Sequence, residues 1–151
     1  MVDVEVFGVP EVLSMLHDQS HRLATSHVRG MVAAGEVLVA VAKQQAPVGQ
    51  GRGGSGRYPA GTLRDKIHAG VPSGGLFGAE LTVYGDRPFY ARFVAGGTAA
   101  HLIQAEAGEA LATPYGPKTS VVHPGTRRNP YMRRAFDLAL VPMFEAWKRV
   151  M

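Results

Sequence analysis

Two histidines near the start of the sequence, His17 and His21, are spaced so that they could share a metal ion. A separation of four residues places both imidazoles on one face of a helix. The residues between them, Asp18, Gln19 and Ser20, do not match H-E-x-x-H, so the general base of a metalloprotease is missing. Two ligands do not complete a zinc site. We therefore expect solvated helix histidines and no metal site.

A second histidine pair, His101 and His123, falls near the ends of two predicted strands. A hydrolytic pair would also need an activated nucleophile and an orienting carboxylate. Glu106 and Glu109 are close to His101 along the chain, but Ser120 lies inside a strand pattern rather than on a rigid turn. A hydrolase that uses this pair is therefore the least favoured function for this chain, and we predict no catalytic residue.

A glycine-rich loop at 48–61 carries Arg52 and Arg57 and contains the G-x-G-x-x-G pattern twice. That pattern binds a dinucleotide only where it follows a strand and opens a helix. Here it follows a long predicted helix and a proline, and Thr62 stands where a phosphate-binding loop needs lysine. We predict a flexible loop and no cofactor.

A basic segment at 118–134 has the composition of a nucleic-acid contact. It contains Lys118, Arg127, Arg128, Arg133 and Arg134 and no acidic residue. Twelve of the 16 basic side chains of the chain are arginines, which form bidentate contacts with carboxylates and phosphates. The segment also contains turn residues and leads into a helix, so we favour an acidic protein neighbour over nucleic acid. A small basic nucleic-acid-binding protein remains the alternative.

The elements that would position these residues follow from hydrophobic periodicity. Alternation at 2–6 predicts a strand, and spacings of three, four and seven at 10–45 predict a helix about 50 Å long. That length exceeds the diameter of a compact domain of this size. Either Gly30 or Gly35 permits a bend, or the helix projects onto a neighbouring subunit. Ala46-Pro47 ends it, because the residue before proline leaves the α region.

Short elements are predicted to follow: strands at 81–84, 101–105, 110–113 and 119–123, and a short helix at 88–94. A C-terminal helix is predicted with Asn129 as its N-cap and Pro130 at its first position. Its apolar stripe consists of Met132, Phe136, Ala139, Leu140, Met143, Phe144, Trp147 and Val150. If this stripe is buried, Phe136→Ala or Trp147→Ala costs ~3–5 kcal/mol. Pro142 should kink the helix.

Order and composition together predict an α+β fold: a long N-terminal helix, a small, largely antiparallel β-sheet and a C-terminal amphipathic helix, in a single domain over 1–151.

Composition also limits the classes of protein. The absence of cysteine excludes a disulfide scaffold and thiol catalysis. No apolar run approaches the ~20 residues of a membrane span. Residues 1–50 hold five acidic and three basic side chains, a net −2, so the rest of the +4 chain carries +6.

The segment 123–136, HPGTRRNPYMRRAF, resembles the HPGT…P-aromatic-[LM]-R-x-A-F signature of a tailed-bacteriophage family, the tail-completion or head–tail joining (neck) proteins, often called minor tail proteins. Three further segments agree in order. They are Ala46-Pro47-Val48 with Gly61-Thr62-Leu63-Arg64, then Tyr90-Ala91-Arg92-Phe93-Val94 with Gly97-Thr98, and His101-Leu102-Ile103 through Ala110-Leu111. The sequence departs from the family at Ala95-Gly96 and in the length of its glycine-rich loop.

The resemblance implies a structural virion protein, made in the bacterial host cytoplasm, that forms a ring at the head–tail joint or tail terminus. Its partners would be copies of itself, neighbouring neck, connector and tail proteins, and passing DNA in transient, non-specific contact. No enzymatic activity is implied. The interface residues we predict are Arg52, Arg57, Arg64, His123, Pro124, Gly125, Thr126, Arg127, Arg128 and Arg133.

Overall fold

One long helix, α1 (Val9–Gln45), is the frame on which most of the other elements pack. The structure, a computed structural model, describes residues 7–48, 59–85, 90–106 and 108–151. It is of the α+β class, as predicted. The elements after α1 are α2 (Thr62–Asp65), β1 (Ile67–Ala69), β2 (Ser73–Gly75), β3 (Gly78–Glu80), β4 (Val83–Gly85), α3 (Ala91–Gly96), β5 (His101–Gln104), β6 (Ser120–His123) and α4 (Tyr131–Val150). The strand predicted at 2–6, and Arg52 and Arg57 of the glycine-rich loop, lie outside the described residues.

Helix α1 is continuous over 37 residues. Gly30 and Gly35 do not interrupt it. Each glycine instead allows a side chain to approach closely: the Trp147 indole covers Gly30 and the Leu81 side chain covers Gly35. The helix ends where predicted, with Ala46 extended at ψ 130° before Pro47. Residues 9–19 are all exposed, so the first three turns project beyond the rest of the molecule.

Helix α4 runs antiparallel to the C-terminal half of α1. Its first turns lie beside Ala42 and Ala46, and its last turn reaches Gly30 through Trp147. The face that α4 buries is Tyr131, Ala135 and Ala139. The predicted apolar stripe overlaps this face only in part: Ala139 is buried and Met132, Met143 and Trp147 are half-buried, whereas Phe136, Leu140, Phe144 and Val150 are exposed. Small residues let the two helix backbones approach closely, and Phe136, Leu140 and Phe144 of the predicted stripe remain exposed.

The start of α4 also differs from the prediction. Pro130, not Asn129, is the N-cap, and no side chain caps the helix. The Asn129 side-chain oxygen instead accepts a hydrogen bond of 2.7 Å from Arg134 Nη2. The helix continues through Pro142, which is exposed and cannot donate a hydrogen bond to the preceding turn.

Within the described residues the strands form three separate two-stranded antiparallel sheets rather than one sheet: β1–β4, β2–β3 and β5–β6. The strand predicted at 81–84 begins only at Val83, because Leu81 packs on Gly35 of α1. The strand predicted at 110–113 is reduced to a single bridge between Leu111 and Lys118. Prolines 114 and 117 lie within that turn and cannot donate to a strand ladder.

The buried core is small and lies at the C-terminal end of α1. Its members are Ala42, Ala46, Leu63, Ile67, Tyr131 and Ala135, with a surrounding layer of half-buried side chains. Ile67 is the one large side chain that is completely buried among the described residues. Burial raises the pKa of Tyr131, and the neighbouring Tyr90 raises it further.

Candidate functional site

The turn that follows β6 is tied to the end of α3 by two Gly-Thr dipeptides. The Thr98 N–H donates to the Thr126 carbonyl at 3.0 Å, and the Thr126 N–H donates back to the Thr98 carbonyl at 3.1 Å. The two threonine hydroxyls lie 3.1 Å apart. Gly97 and Gly125 precede the threonines with φ of 73° and 85°, a conformation that favours glycine. We call this arrangement the Gly-Thr joint.

Strands β5 and β6 extend from this joint as a two-stranded ribbon. His101 pairs with His123 and Gln104 with Ser120, in the same register as the Thr98–Thr126 bridge. Pro124 lacks an N–H and interrupts the ladder between joint and strands. The ribbon packs mainly on itself, and its apolar side chains Leu102 and Val122 are exposed. A free two-stranded ribbon is marginally stable in water, so this one is suited to a further partner.

The two histidines of the ribbon are neighbours, with ring centroids 5.1 Å apart. Their Nδ1 atoms face backbone groups: His101 Nδ1 lies 3.0 Å from the Ala99 carbonyl, and His123 Nδ1 accepts a 3.0 Å hydrogen bond from the Gly125 N–H. Ser120 is three residues from His123 on the strand, so its side chain points to the opposite face of the ribbon. The arrangement supports the turn and does not provide a nucleophile.

Three of the predicted interface arginines lie at or beside the Gly-Thr joint. Arg127 and Arg128 are exposed, and their side chains form neither a hydrogen bond nor an ion pair with any described residue. Arg133 is also exposed and pairs with Asp137 at 3.0 Å. Arg64 lies elsewhere, in α2, and pairs with its neighbour Asp65 at 2.9 Å. The predicted interface residues at 123–133 lie close together in the sequence, and Arg64 belongs to a different element, although its neighbour Leu63 packs in the same core cluster as Tyr131.

Large apolar side chains are exposed on several elements. The first turns of α1 expose Val9, Val12, Leu13, Met15 and Leu16, and α4 exposes Phe136, Leu138, Leu140, Val141 and Phe144. The tip of the β2–β3 hairpin exposes Leu76 and Phe77, the latter completely. The hairpin was missed from the sequence, where only glycines flanking an apolar pair indicate it. Contiguous exposed apolar surface of this kind marks interaction sites.

The described part of the chain offers little to a small molecule. Two depressions, about 380 Å³ at the β2–β3 hairpin and about 480 Å³ between that hairpin and α1, are open to solvent and contain no histidine or carboxylate pair. No group of three or more His, Asp or Glu within the described ranges could hold a metal ion. Among those residues, no helix has both the length and the apolarity that crossing a membrane requires.

Comparison with protein-family models, curated proteins and solved structures found no match to this chain.

Proposed function

We propose that this protein is a structural subunit of a tailed-phage, prophage or gene-transfer particle, which forms a ring at the head–tail joint or tail terminus and connects head to tail around the DNA channel. The resemblance of four ordered sequence segments to the neck family points to this class. The observation that carries the proposal is the balance between core and surface. Five of the eight buried hydrophobic residues in the described part of the chain are alanines, while many larger apolar side chains of α1, α4 and the hairpin are exposed.

Such a balance suits a subunit better than an isolated monomer. A core built on alanine and glycine buries little apolar area, and buried area is the main favourable term in folding. Exposed apolar faces on two long helices would gain burial only from a partner. In a ring, each copy presents two different surfaces to its two neighbours, so several unrelated faces are covered at once.

The test is complementation of a particle that lacks this protein. We expect wild-type protein supplied in trans to restore joined particles in electron micrographs, and Arg127→Glu with Arg128→Glu to leave separate heads and tails. The matched control is Lys66→Glu with Arg149→Glu, which makes the same change in net charge at exposed positions away from the joint. Normal joining without the protein, or equal yields from the two double variants, contradicts the proposal.

A second candidate function, non-specific nucleic-acid binding, is favoured by Arg127 and Arg128, which are exposed and have no ion-pair partner among the residues that the structure describes. Fluorescence anisotropy with a short DNA duplex distinguishes the two. A nucleic-acid-binding protein that neutralises several phosphates loses affinity steeply with salt, with a slope of log K against log salt near −0.9 per contact. A neck subunit is expected to bind the isolated duplex weakly, and both double variants should then behave alike.

A further inference from the structure

We propose that copies of this chain associate head to tail, with the first three turns of α1 of one copy lying on the Gly-Thr joint end of the next. The donor surface, residues 9–19, is called the acidic arm. The acceptor surface, called the basic platform, consists of Arg127, Arg128, Arg133, Phe136 and Leu140. The inference uses the proposed function only in requiring that copies associate, and it names the two surfaces through which they do so.

The acidic arm is largely uncovered by the rest of the molecule, and only its last turn, at Leu16 and Gln19, borders the depression beside the hairpin residue Leu76. Every residue from 9 to 19 is exposed, and Val9, Val12, Leu13 and Leu16 fall at spacings of three, four and seven on one side. Isolated helices of this length are marginal in water, so the arm gains most from a surface that covers this stripe. Its two charged residues, Glu11 and Asp18, form no ion pair with any described residue.

The basic platform has the complementary character. Arg127 and Arg128 lack ion-pair partners among the described residues, and the Arg133 side chain is 78% exposed despite its contact with Asp137. Phe136 and Leu140 continue from Arg133 along α4 at spacings of three and four, so they form an apolar stripe beside the arginines. Both side chains are about half exposed, at 43% and 50%. An arm that is acidic and apolar fits a platform that is basic and apolar.

The two surfaces of one copy cannot meet each other. The platform lies at the C-terminal end of α1, since the first turns of α4 pack on Ala42 and Ala46. The arm lies at the other end of the same helix, about 45 Å away at 1.5 Å per residue. A second copy is therefore the partner that brings them together. Because the two surfaces differ, the contact is heterologous, and it closes into a ring where the rotation between copies permits.

Nucleic acid and anionic membranes fit the arm poorly, because both would repel Glu11 and Asp18. Amphipathic helices that bind membranes carry lysine and arginine on their polar face instead. A protein surface with unpaired arginines is the partner that the charge of the arm favours.

Reciprocal charge reversal, measured by sedimentation velocity over a concentration series, tests the pairing. We expect Glu11→Arg with Asp18→Arg, and separately Arg127→Glu with Arg128→Glu, to weaken self-association about tenfold or more. The four substitutions together should restore it to near the wild-type level, since the attraction is re-formed with opposite signs. Glu36→Arg with Glu80→Arg, which makes the same charge change at exposed positions outside the arm, should have little effect. Failure of the fourfold variant to recover, or a wild type that stays monomeric up to about 1 mM, overturns the inference.

Disulfide trapping gives an independent measurement, because the protein has no cysteine. Leu13→Cys protein mixed with Phe136→Cys protein should form the mixed disulfide on oxidation, in preference to either symmetric product. Ala40→Cys, at an exposed position near the C-terminal end of α1 and outside the arm, is the control that should not trap Phe136→Cys. A predominant 13–13 product would show a symmetric contact and contradict the head-to-tail arrangement. Complementation of head–tail joining does not depend on this outcome, so the neck proposal can survive the loss of this one.

Discussion

Thr98 and Thr126 exchange two backbone hydrogen bonds although 28 residues separate them along the chain. Each follows a glycine with positive φ, so two Gly-Thr dipeptides build one joint. The Asn129 N–H donates to the Val94 carbonyl at 3.1 Å and ties the same turn to α3. This joint fixes the backbone that holds Arg127 and Arg128 at the surface. Both Gly-Thr dipeptides therefore support the proposed interface.

The joint predicts an unusual sensitivity of Gly125 to the smallest substitution. In Gly125→Ala the new Cβ would collide with the Thr98 carbonyl, in addition to the strain of a positive φ. We expect the free energy of unfolding to fall by more than ~2 kcal/mol, because the strain alone costs about 1–2 kcal/mol. Urea denaturation followed by circular dichroism measures it.

Gly108→Ala is the matched control for this prediction. Gly108 has φ of 86°, almost the same as Gly125, but a Cβ there meets nothing within 4 Å. The fall in the free energy of unfolding of Gly108→Ala should therefore come from backbone strain alone. Equal destabilisation by the two variants would mean that the Thr98 contact does not constrain the turn.

The sequence predicted the local elements of this fold better than their partners. The end of α1 at Ala46-Pro47 and strands β5 and β6 were predicted because proline and alternating apolar residues act within a few positions. The pairing of Thr98 with Thr126 was not predicted, since hydrophobic periodicity contains no information on which distant segments meet. The three separate strand pairs were missed for the same reason.

The buried face of α4 shows a different limit. Spacing identified an apolar stripe through Phe136 and Leu140, but the structure buries Tyr131, Ala135 and Ala139 against α1. Helices α1 and α4 approach closely because small residues lie between them. One of these is Gly30 of α1, which lies beneath Trp147 of α4. Apolar spacing ranks large side chains above alanine, so it included the exposed Phe136 and Leu140 and left out the buried Ala135. For the candidate interface, the sequence identified the basic residues but not the acidic arm as their counterpart.

This burial pattern of α4 reverses the expected cost of two neighbouring substitutions. Ala135 is fully buried, at 0% exposure, whereas Phe136 is 43% exposed. We expect Ala135→Leu to destabilise the monomer by about 1–3 kcal/mol through overpacking. Phe136→Ala should cost clearly less than the ~3–5 kcal/mol of a buried aromatic. Unfolding is measured at concentrations below self-association, and a larger loss from Phe136→Ala would restore the face predicted from the sequence.

The contact of Gly30 with Trp147 predicts a fluorescence change. Trp147 is the single tryptophan, so all tryptophan emission comes from this indole, which lies on Gly30 and stacks on Phe144. Gly30→Leu should displace the indole, shift the emission to longer wavelength and lower the free energy of unfolding by about 1–3 kcal/mol. Ala40→Leu, at an exposed position on the same helix, should leave the emission unchanged. An unchanged spectrum for Gly30→Leu would show that α4 does not cross α1 at this point.

Tyr131 predicts a loss of stability in alkaline solution. Burial, and secondarily the neighbouring Tyr90, raise the pKa of Tyr131 in the folded protein, while an unfolded tyrosine titrates near 10. The folded state therefore keeps its proton at a pH where the unfolded chain has lost it. The stabilisation is complete below about pH 10 and is lost as the pH rises through the folded pKa, by at most about 1.4 kcal/mol per pH unit for one group.

Tyr131→Phe retains the ring and removes the titrating hydroxyl, so its free energy of unfolding should decline less steeply than that of the wild type between pH 9 and 11. All other side chains are the same in the two proteins, so the difference between the two slopes isolates Tyr131. Tyr90→Phe should reduce the slope by a smaller amount, because Tyr90 is the second cause of the raised pKa and not the first. Parallel slopes for wild type and Tyr131→Phe would place the Tyr131 hydroxyl in solvent, and with it the first turn of α4 outside the core.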